Sequence, residues 1–197
     1  MKLVFSIEDL VKKFFNEVKI GNVEIYNEFS LQHEFGIYLR SLLLPDVKIR
    51  FERNVRDLNL SENKFVKKEI DVVILSTDSE EHLCAIELKY PRNGQVPETM
   101  FSFCKDIAFL EQLVKSGFHS AYFIAVAEHS HFHSNAGKKD GIYRFFRANE
   151  SITGKINKPT GGSEIKETTF VTIAGCYQVK WLPIIDDRNY LLIQVAI

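Results

Sequence analysis

Cysteine is scarce in this chain of 197 residues, which has only Cys84, Cys104 and Cys176. They are odd in number, lack Cys-x-x-Cys spacing and lie in apolar surroundings, which argues against a disulfide framework or a thiolate zinc site and leaves reduced core thiols. Cys104 has no histidine nearby in sequence to activate it as a nucleophile. Long hydrophobic runs are missing as well, the longest falling far short of the ~20 residues that span a bilayer. The first residues lack the uninterrupted apolar segment and small-residue cleavage site of a secretory signal. The expectation is a cytoplasmic protein with no membrane partner. Charge of one sign is not in excess either: the net value is −1, so composition alone does not announce a nucleic-acid binder. A Walker phosphate loop, a Gly-x-Gly-x-x-Gly fingerprint, internal repeats and low-complexity tracts are all absent.

What is present is 45% hydrophobic residues, enough for a sizeable core, and no linker divides the chain, so residues 1–197 are expected to form a single domain. Ser6 is placed to cap a helix over residues 7–20, with Asp9 in its first turn and Gly21 as its stop. Apolar residues at Leu31, Phe35, Tyr38, Leu39 and Leu42 predict a second helix that ends before Pro45. A strand over 47–54 follows. Residues 99–115 carry Met100, Phe103, Ile107, Leu110 and Val114 on one helical stripe that Gly117 ends, and 120–127 form a nearly continuous apolar run, the mark of a strand buried on both faces. Residues 168–181 and 190–197 read as strands joined around Pro183 and Asp186-Asp187, a β-rich extension that either continues the sheet or forms a homodimer face. Residues 151–163 have the Gly, Pro, Ser and Thr content of a mobile loop.

Between the second and third helices lies the most informative pattern. The runs Glu69-Ile70-Asp71-Val72-Val73-Ile74-Leu75 and Cys84-Ala85-Ile86-Glu87-Leu88-Lys89-Tyr90 flank a polar stretch over 77–82, which predicts two antiparallel strands. A symmetric hairpin puts Asp71 on the face of Leu88, whereas a slip of one residue or a bulge puts it with Glu87 and Lys89. The second register is the working assumption, because it gathers two carboxylates and an ammonium at one point. Two carboxylates converging at the end of an apolar strand pair repel unless a cation joins them, and a hard divalent ion is the simplest resolution. The bland alternative is a surface salt-bridge cluster.

Asp71 followed by Glu87-x-Lys89 on the next strand resembles the signature of the PD-(D/E)xK nucleases, the restriction-endonuclease-like superfamily. The resemblance covers roughly residues 25–127. It implies an α/β fold with an αβββαβ core, a mixed central sheet flanked by helices and, here, the β-rich extension over about 165–197. Ile70 stands where the motif's name has proline, and Gln112 is followed by Ser116 where exonuclease-like branches place a tyrosine, which counts against that subgroup. What the resemblance implies is a nuclease that hydrolyses phosphodiester bonds in DNA, endonucleolytic and dependent on Mg²⁺ or Mn²⁺. Asp71, Glu87 and the backbone carbonyl of Leu88 would be metal ligands. Lys89 would position or deprotonate the attacking water, and Glu34, on the preceding helix, would match an extra acid serving a metal-bound water or a second ion. The alternative is a catalytically inactive nucleic-acid-binding or structural protein with the same fold.

Other candidates depend on that reading. Arg92 and Gln95 directly follow the motif strand, and Lys138, Lys139, Arg144 and Arg147 belong to a basic segment that continues to Lys155 and Lys158; all six are candidates for substrate contact. Arg50, Arg53 and Arg56 form a second basic cluster, and either cluster serves equally well as a solvated face. His129, His131 and His133 would face one way on an extended chain and could hold a metal, although a polar loop is the preferred reading. Asp106, beside Lys105, reads as a surface charge.

Overall fold

The computed structural model describes residues 6–43, 45, 47–61, 64–79, 81–92, 94–134 and 137–196. Helix α1 (Ile7–Lys19) starts where the Ser6 side chain accepts the Asp9 amide at 3.4 Å, and Gly21 ends the segment at φ +82°. Helix α2 (Glu28–Leu43) has a reciprocal cap: the Asn27 side chain accepts from the Ser30 amide at 2.7 Å, and Ser30 Oγ accepts from the Asn27 amide at 3.0 Å. That cap fixes the first turn of α2, where Glu28 sits.

Three strands follow, β1 (Val47–Asn54), β2 (Glu69–Ser76) and β3 (His82–Lys89), then helix α3 (Val96–Lys115) and strand β4 (Ala121–Ala127). Helix α3 begins earlier than its apolar stripe suggests, since Pro97 is tolerated in a first turn that needs no amide donor. Beyond β4 come short helix α4 (Tyr143–Arg147), strand β5 (Ile152–Asn157), helix α5 (Ser163–Thr168) and strands β6 (Phe170–Tyr177), β7 (Trp181–Ile185) and β8 (Arg188–Val195). The protein is thus mixed α/β, with a six-stranded sheet in the order β1-β2-β3-β4-β8-β7 and a separate β5-β6 ribbon. Strands β3 and β4 are parallel, as a helical crossover allows, and the other pairs are antiparallel.

Side-chain alternation divides the core into two layers. Val72, Ile74, Ile86, Ile124 and Val126 pack with α1 and α2. Val73, Ala85, Phe123, Ala125 and Ile193 pack with α3 and the ribbon. Every residue of β4 is buried, as its continuous apolar run predicts.

Two expectations for the C-terminal third are corrected. Residues 152–157, expected as mobile loop, form β5; its pattern is hard to read because Gly154, at φ +68°, shifts the register and only Ile152 and Ile156 are buried. The single strand expected over 168–181 is two strands in different sheets. Strand β6 pairs with β5, while β7 and β8 continue the main sheet from β4. The ribbon is tied to α3 by buried Glu111, whose carboxylate accepts from the Ala174 and Gly175 amides at 2.9 and 2.7 Å and from the Tyr177 hydroxyl at 2.9 Å. Cys176 is exposed, unlike Cys84 and Cys104, because β6 alternates and only one face meets α3.

Helix α2 approaches β1 closely at Gly36, where an added Cβ would lie 2.2 Å from Phe51 Cζ, and the Arg40 guanidinium lies 5.0 Å from the centre of the same ring. Gly36→Val is therefore expected to cost about 1–3 kcal/mol by overpacking, read as a lower urea midpoint. An unchanged midpoint would mean that the Phe51 ring moves aside freely.

Candidate active site

Strand pairing sets Val72 opposite Ile86 and Val73 opposite Ala85, so the continued register brings Asp71 across from Glu87. The shift from a symmetric hairpin comes from an irregularity between Ile74 and Leu75, and consecutive Leu83 and Cys84 both fall in the α1/α2 layer as a bulge requires. By parity with Val73 and Ala85, Asp71 and Glu87 face the α3 layer. Asp71 Oδ2 accepts from the Leu88 amide at 2.7 Å and lies 3.7 Å from Lys89 Nζ. Lys89 Nζ also donates to the Leu88 carbonyl at 2.8 Å.

Three further side chains complete the cluster. Glu28, held in the capped first turn of α2, accepts from Lys89 Nζ at 3.2 Å and from the Tyr90 amide at 3.1 Å. Asp106 enters from α3 and is 2% exposed, a correction to its reading as a surface charge. Its position between Phe103, Ile107 and Leu110 puts it on the buried stripe of that helix. Lys67, from the segment before β2, bonds both Glu87 and Asp106, the latter at 2.9 Å. Gln32 of α2 steadies Asp71 from behind, donating to its backbone carbonyl at 2.9 Å and to Glu52 Oε1 at 2.7 Å. Glu52 adopts φ +48° and drops out of the β1-β2 register opposite Asp71, which marks local backbone strain beside the site.

Four carboxylates, Glu28, Asp71, Glu87 and Asp106, thus meet two ammonium groups, Lys67 and Lys89, leaving two formal negative charges. Glu87 is wholly buried, and burial, reinforced by Asp71, pushes its pKa up from 4.5 to about 8 against the opposing pull of Lys67. Asp106 is raised too, first by burial. Burial alone would lower Lys89, but Asp106, Asp71, Glu28 and Glu87 outweigh it and hold the ammonium above its ordinary pKa. Glu87 Oε1 and Asp106 Oδ2 are buried with no hydrogen-bond partner. Among the described residues no group of three His, Cys, Asp or Glu side chains stands ready to hold a metal ion. Even so, two orphaned carboxylate oxygens in a cluster short of positive charge fit a hard divalent cation.

The raised Glu87 fixes a sign for pH dependence without added metal. The folded state holds the Glu87 proton up to about pH 8 while the unfolded chain releases it near 4.5, so stability falls as pH rises between those values. Urea midpoints in EDTA should decline across that window, and Glu87→Gln should flatten the decline. A midpoint that climbs through the window in wild type would contradict the assignment.

The remaining candidates are distributed unevenly. Glu34 is not brought to the site: its carboxylate lies 3.4 Å from His33 Nδ1, and the buried face of its helix packs on the opposite side of the sheet from Asp71 and Glu87. The acid that α2 delivers is Glu28. Arg92 donates to the Tyr26 carbonyl and, with Lys89 and Glu28, lines a cleft of about 310 Å³ beside the cluster. Gln95 is exposed at the N-cap of α3. Lys138, Lys139 and Arg144 are exposed and make no contact with the cluster among the described bonds. Arg147 is corrected from a substrate contact to a structural group, since it is buried and donates to the carbonyls of Lys138, at 3.2 Å, and His131. In the second basic cluster, Arg53 at the end of β1 pairs with Asp57 at 3.7 Å.

The three histidines do not share one face: the His129 and His131 rings lie 4.2 Å apart, while His133 turns toward Asn189. Residues 130–132 form a 3₁₀ turn, His129 accepts from the His131 amide at 3.4 Å, and His133 lies 3.2 Å from the Asn189 amide nitrogen. Burial pushes the Cys84 thiol up to about 12 and raises Cys104 as well, so neither is an activated nucleophile. No helix among the described residues is long and apolar enough to cross a membrane. Comparisons with known proteins return no matching family model, no matching curated protein and no matching solved structure.

Proposed function

We propose that this chain is a metal-dependent nuclease of the restriction-endonuclease-like kind, hydrolysing phosphodiester bonds within DNA strands. The observation that carries the reading is the placement of Asp71 across from Glu87, on the face shared with Lys89, in a cluster where Glu87 Oε1 and Asp106 Oδ2 lack partners. Asp71, Glu87 and the Leu88 carbonyl would hold Mg²⁺ or Mn²⁺, with Asp106 close enough to Lys67 and Lys89 to share in the charge balance. Such an ion, when bound, supplies Lewis acidity to the phosphoryl group and to the attacking water.

The chain's own groups divide the remaining work. Lys89 is held as a cation by its acidic neighbours, so its role is to donate hydrogen bonds and offset phosphate charge rather than to take a proton from water. Glu28 orients that ammonium from the α2 side. Arg92, in the adjoining cleft, is positioned for a neighbouring phosphate. One feature favours the non-catalytic alternative, a nucleic-acid-binding protein of the same fold: Glu87 is fully buried and already bonded to Lys67.

The test is incubation of purified protein with circular and linear DNA in Mg²⁺ or Mn²⁺, repeated with EDTA. Nicking or linearisation of the circle that EDTA abolishes supports the nuclease, and opening of circles supports internal cutting. Binding without cleavage in any divalent ion supports the non-catalytic protein.

A further inference from the structure

A second cleft, of about 520 Å³, opens between α4, strand β5, α5 and the first turn of α3. Five cations line it, Lys138, Arg144, Lys155, Lys158 and Lys166, against the single acid Asp140. Some are partly neutralised: Lys138 pairs with Asp140 at 3.5 Å, Arg144 with Glu150 at 3.4 Å and Lys158 with Glu98 at 3.7 Å. Lys155 lies 4.3 Å over the Phe170 ring, and among the described residues neither it nor Lys166 has a carboxylate partner. Wall and floor are firmly placed, since Ile142, Phe145 and Ile156 are buried and Glu111 fastens the ribbon to α3.

The position of this cleft gives its charge a purpose. Pro97 lines it, while the next two residues, Glu98 and Thr99, line the cleft that contains Lys89 and Arg92. The two clefts therefore meet across the start of α3, and the Lys158–Glu98 pair spans the ridge. We infer that the basic cleft binds the phosphate backbone of single-stranded nucleic acid and leads one strand toward Lys89. As a substrate path it rests on the nuclease reading. A cleft of this volume has room for the backbone of one extended strand. Its lining aromatics are buried or half-buried, so recognition is of phosphates rather than bases and is independent of sequence.

The decisive experiment measures the fluorescence anisotropy of a labelled oligothymidylate with the whole chain, in EDTA, over a salt series. The variant Lys155→Ala/Lys158→Ala/Lys166→Ala is expected to bind more weakly, with a salt slope lower by roughly 2, from about 0.7 per lost phosphate contact. Lys166→Glu alone, on a helix with no buried residue, should weaken binding in the same direction, and Lys12→Ala/Lys13→Ala on α1 should leave it unchanged. A triple variant that keeps the wild-type affinity and slope, wild type that does not bind, or tighter binding of a matched duplex would each overturn the inference. Because the assay needs no metal, a protein that binds through these lysines but never cuts would remove the nuclease and keep the cleft. One that cuts while the triple variant binds normally would do the reverse.

Discussion

Asp71→Ala and Lys89→Ala are each expected to reduce divalent-dependent DNA cleavage by about 10²–10⁴-fold or more, the range typical of a group acting on the reacting atoms. Asp71 removes a carboxylate that the account gives to the metal, and Lys89 removes the cation that faces the phosphate. Both side chains are mostly covered, at 16% and 18% exposed, yet neither belongs to the apolar core. DNA affinity measured in EDTA should accordingly change little. Asp71→Ala should leave the melting temperature unchanged or raise it, because Asp71 adds to the burial that disfavours ionised Glu87. Glu28→Ala should lower cleavage through a loosened Lys89, while Glu34→Ala should not, since of these two acids it is Glu28 that bonds the ammonium. Cleavage that persists in both Asp71→Ala and Lys89→Ala would take the reaction away from this cluster.

The second large effect concerns stability. Lys67 bonds both Glu87 and Asp106, and its loss leaves two buried carboxyl groups without their partner. Breaking such a pair costs about 3–5 kcal/mol when fully buried. Lys67 is 28% exposed, and solvent screening brings the expected cost of Lys67→Met to about 2–3 kcal/mol near neutral pH. The penalty should grow as pH rises through about 8, where buried Glu87 gives up its proton, and adding Asp106→Asn to Lys67→Met should recover part of it. Urea denaturation of the two single variants and the double variant forms the cycle that measures this. Strictly additive effects would show that Lys67 and Asp106 do not share one network.

Much of this architecture is legible in the chain itself, and where it is not the reasons are local. Helix α1 announces itself through Ser6, Asp9 and Gly21, and β4 through an unbroken apolar run, because each depends on neighbours in sequence. The pairing of Asp71 with Glu87 required a register slip that sequence could pose but not settle, and it is supplied by the bulge near Ile74 and Leu75. On α2 Glu34 is the acid that lies well inside the helix, whereas the residue that reaches Lys89, Glu28, is at the helix start. Asn27 and Ser30 form a readable capping signal that places Glu28 there. Asp106 carried a signal of its own, an acid among apolar residues on a buried stripe. Lys67 had none, because it comes from an irregular segment and meets Glu87 and Asp106 only through tertiary packing. Strand β5 was hidden by Gly154 and its bulge.

The central claim is that Asp71 and Glu87 together hold a divalent cation. Its most direct test is the anomalous scattering of crystals grown with Mn²⁺. The account predicts a single strong peak in contact with both carboxylates and the Leu88 carbonyl, absent in Asp71→Ala crystals grown alongside. No peak at that position, with Lys67 still bonded to Glu87 under saturating Mn²⁺, would contradict it.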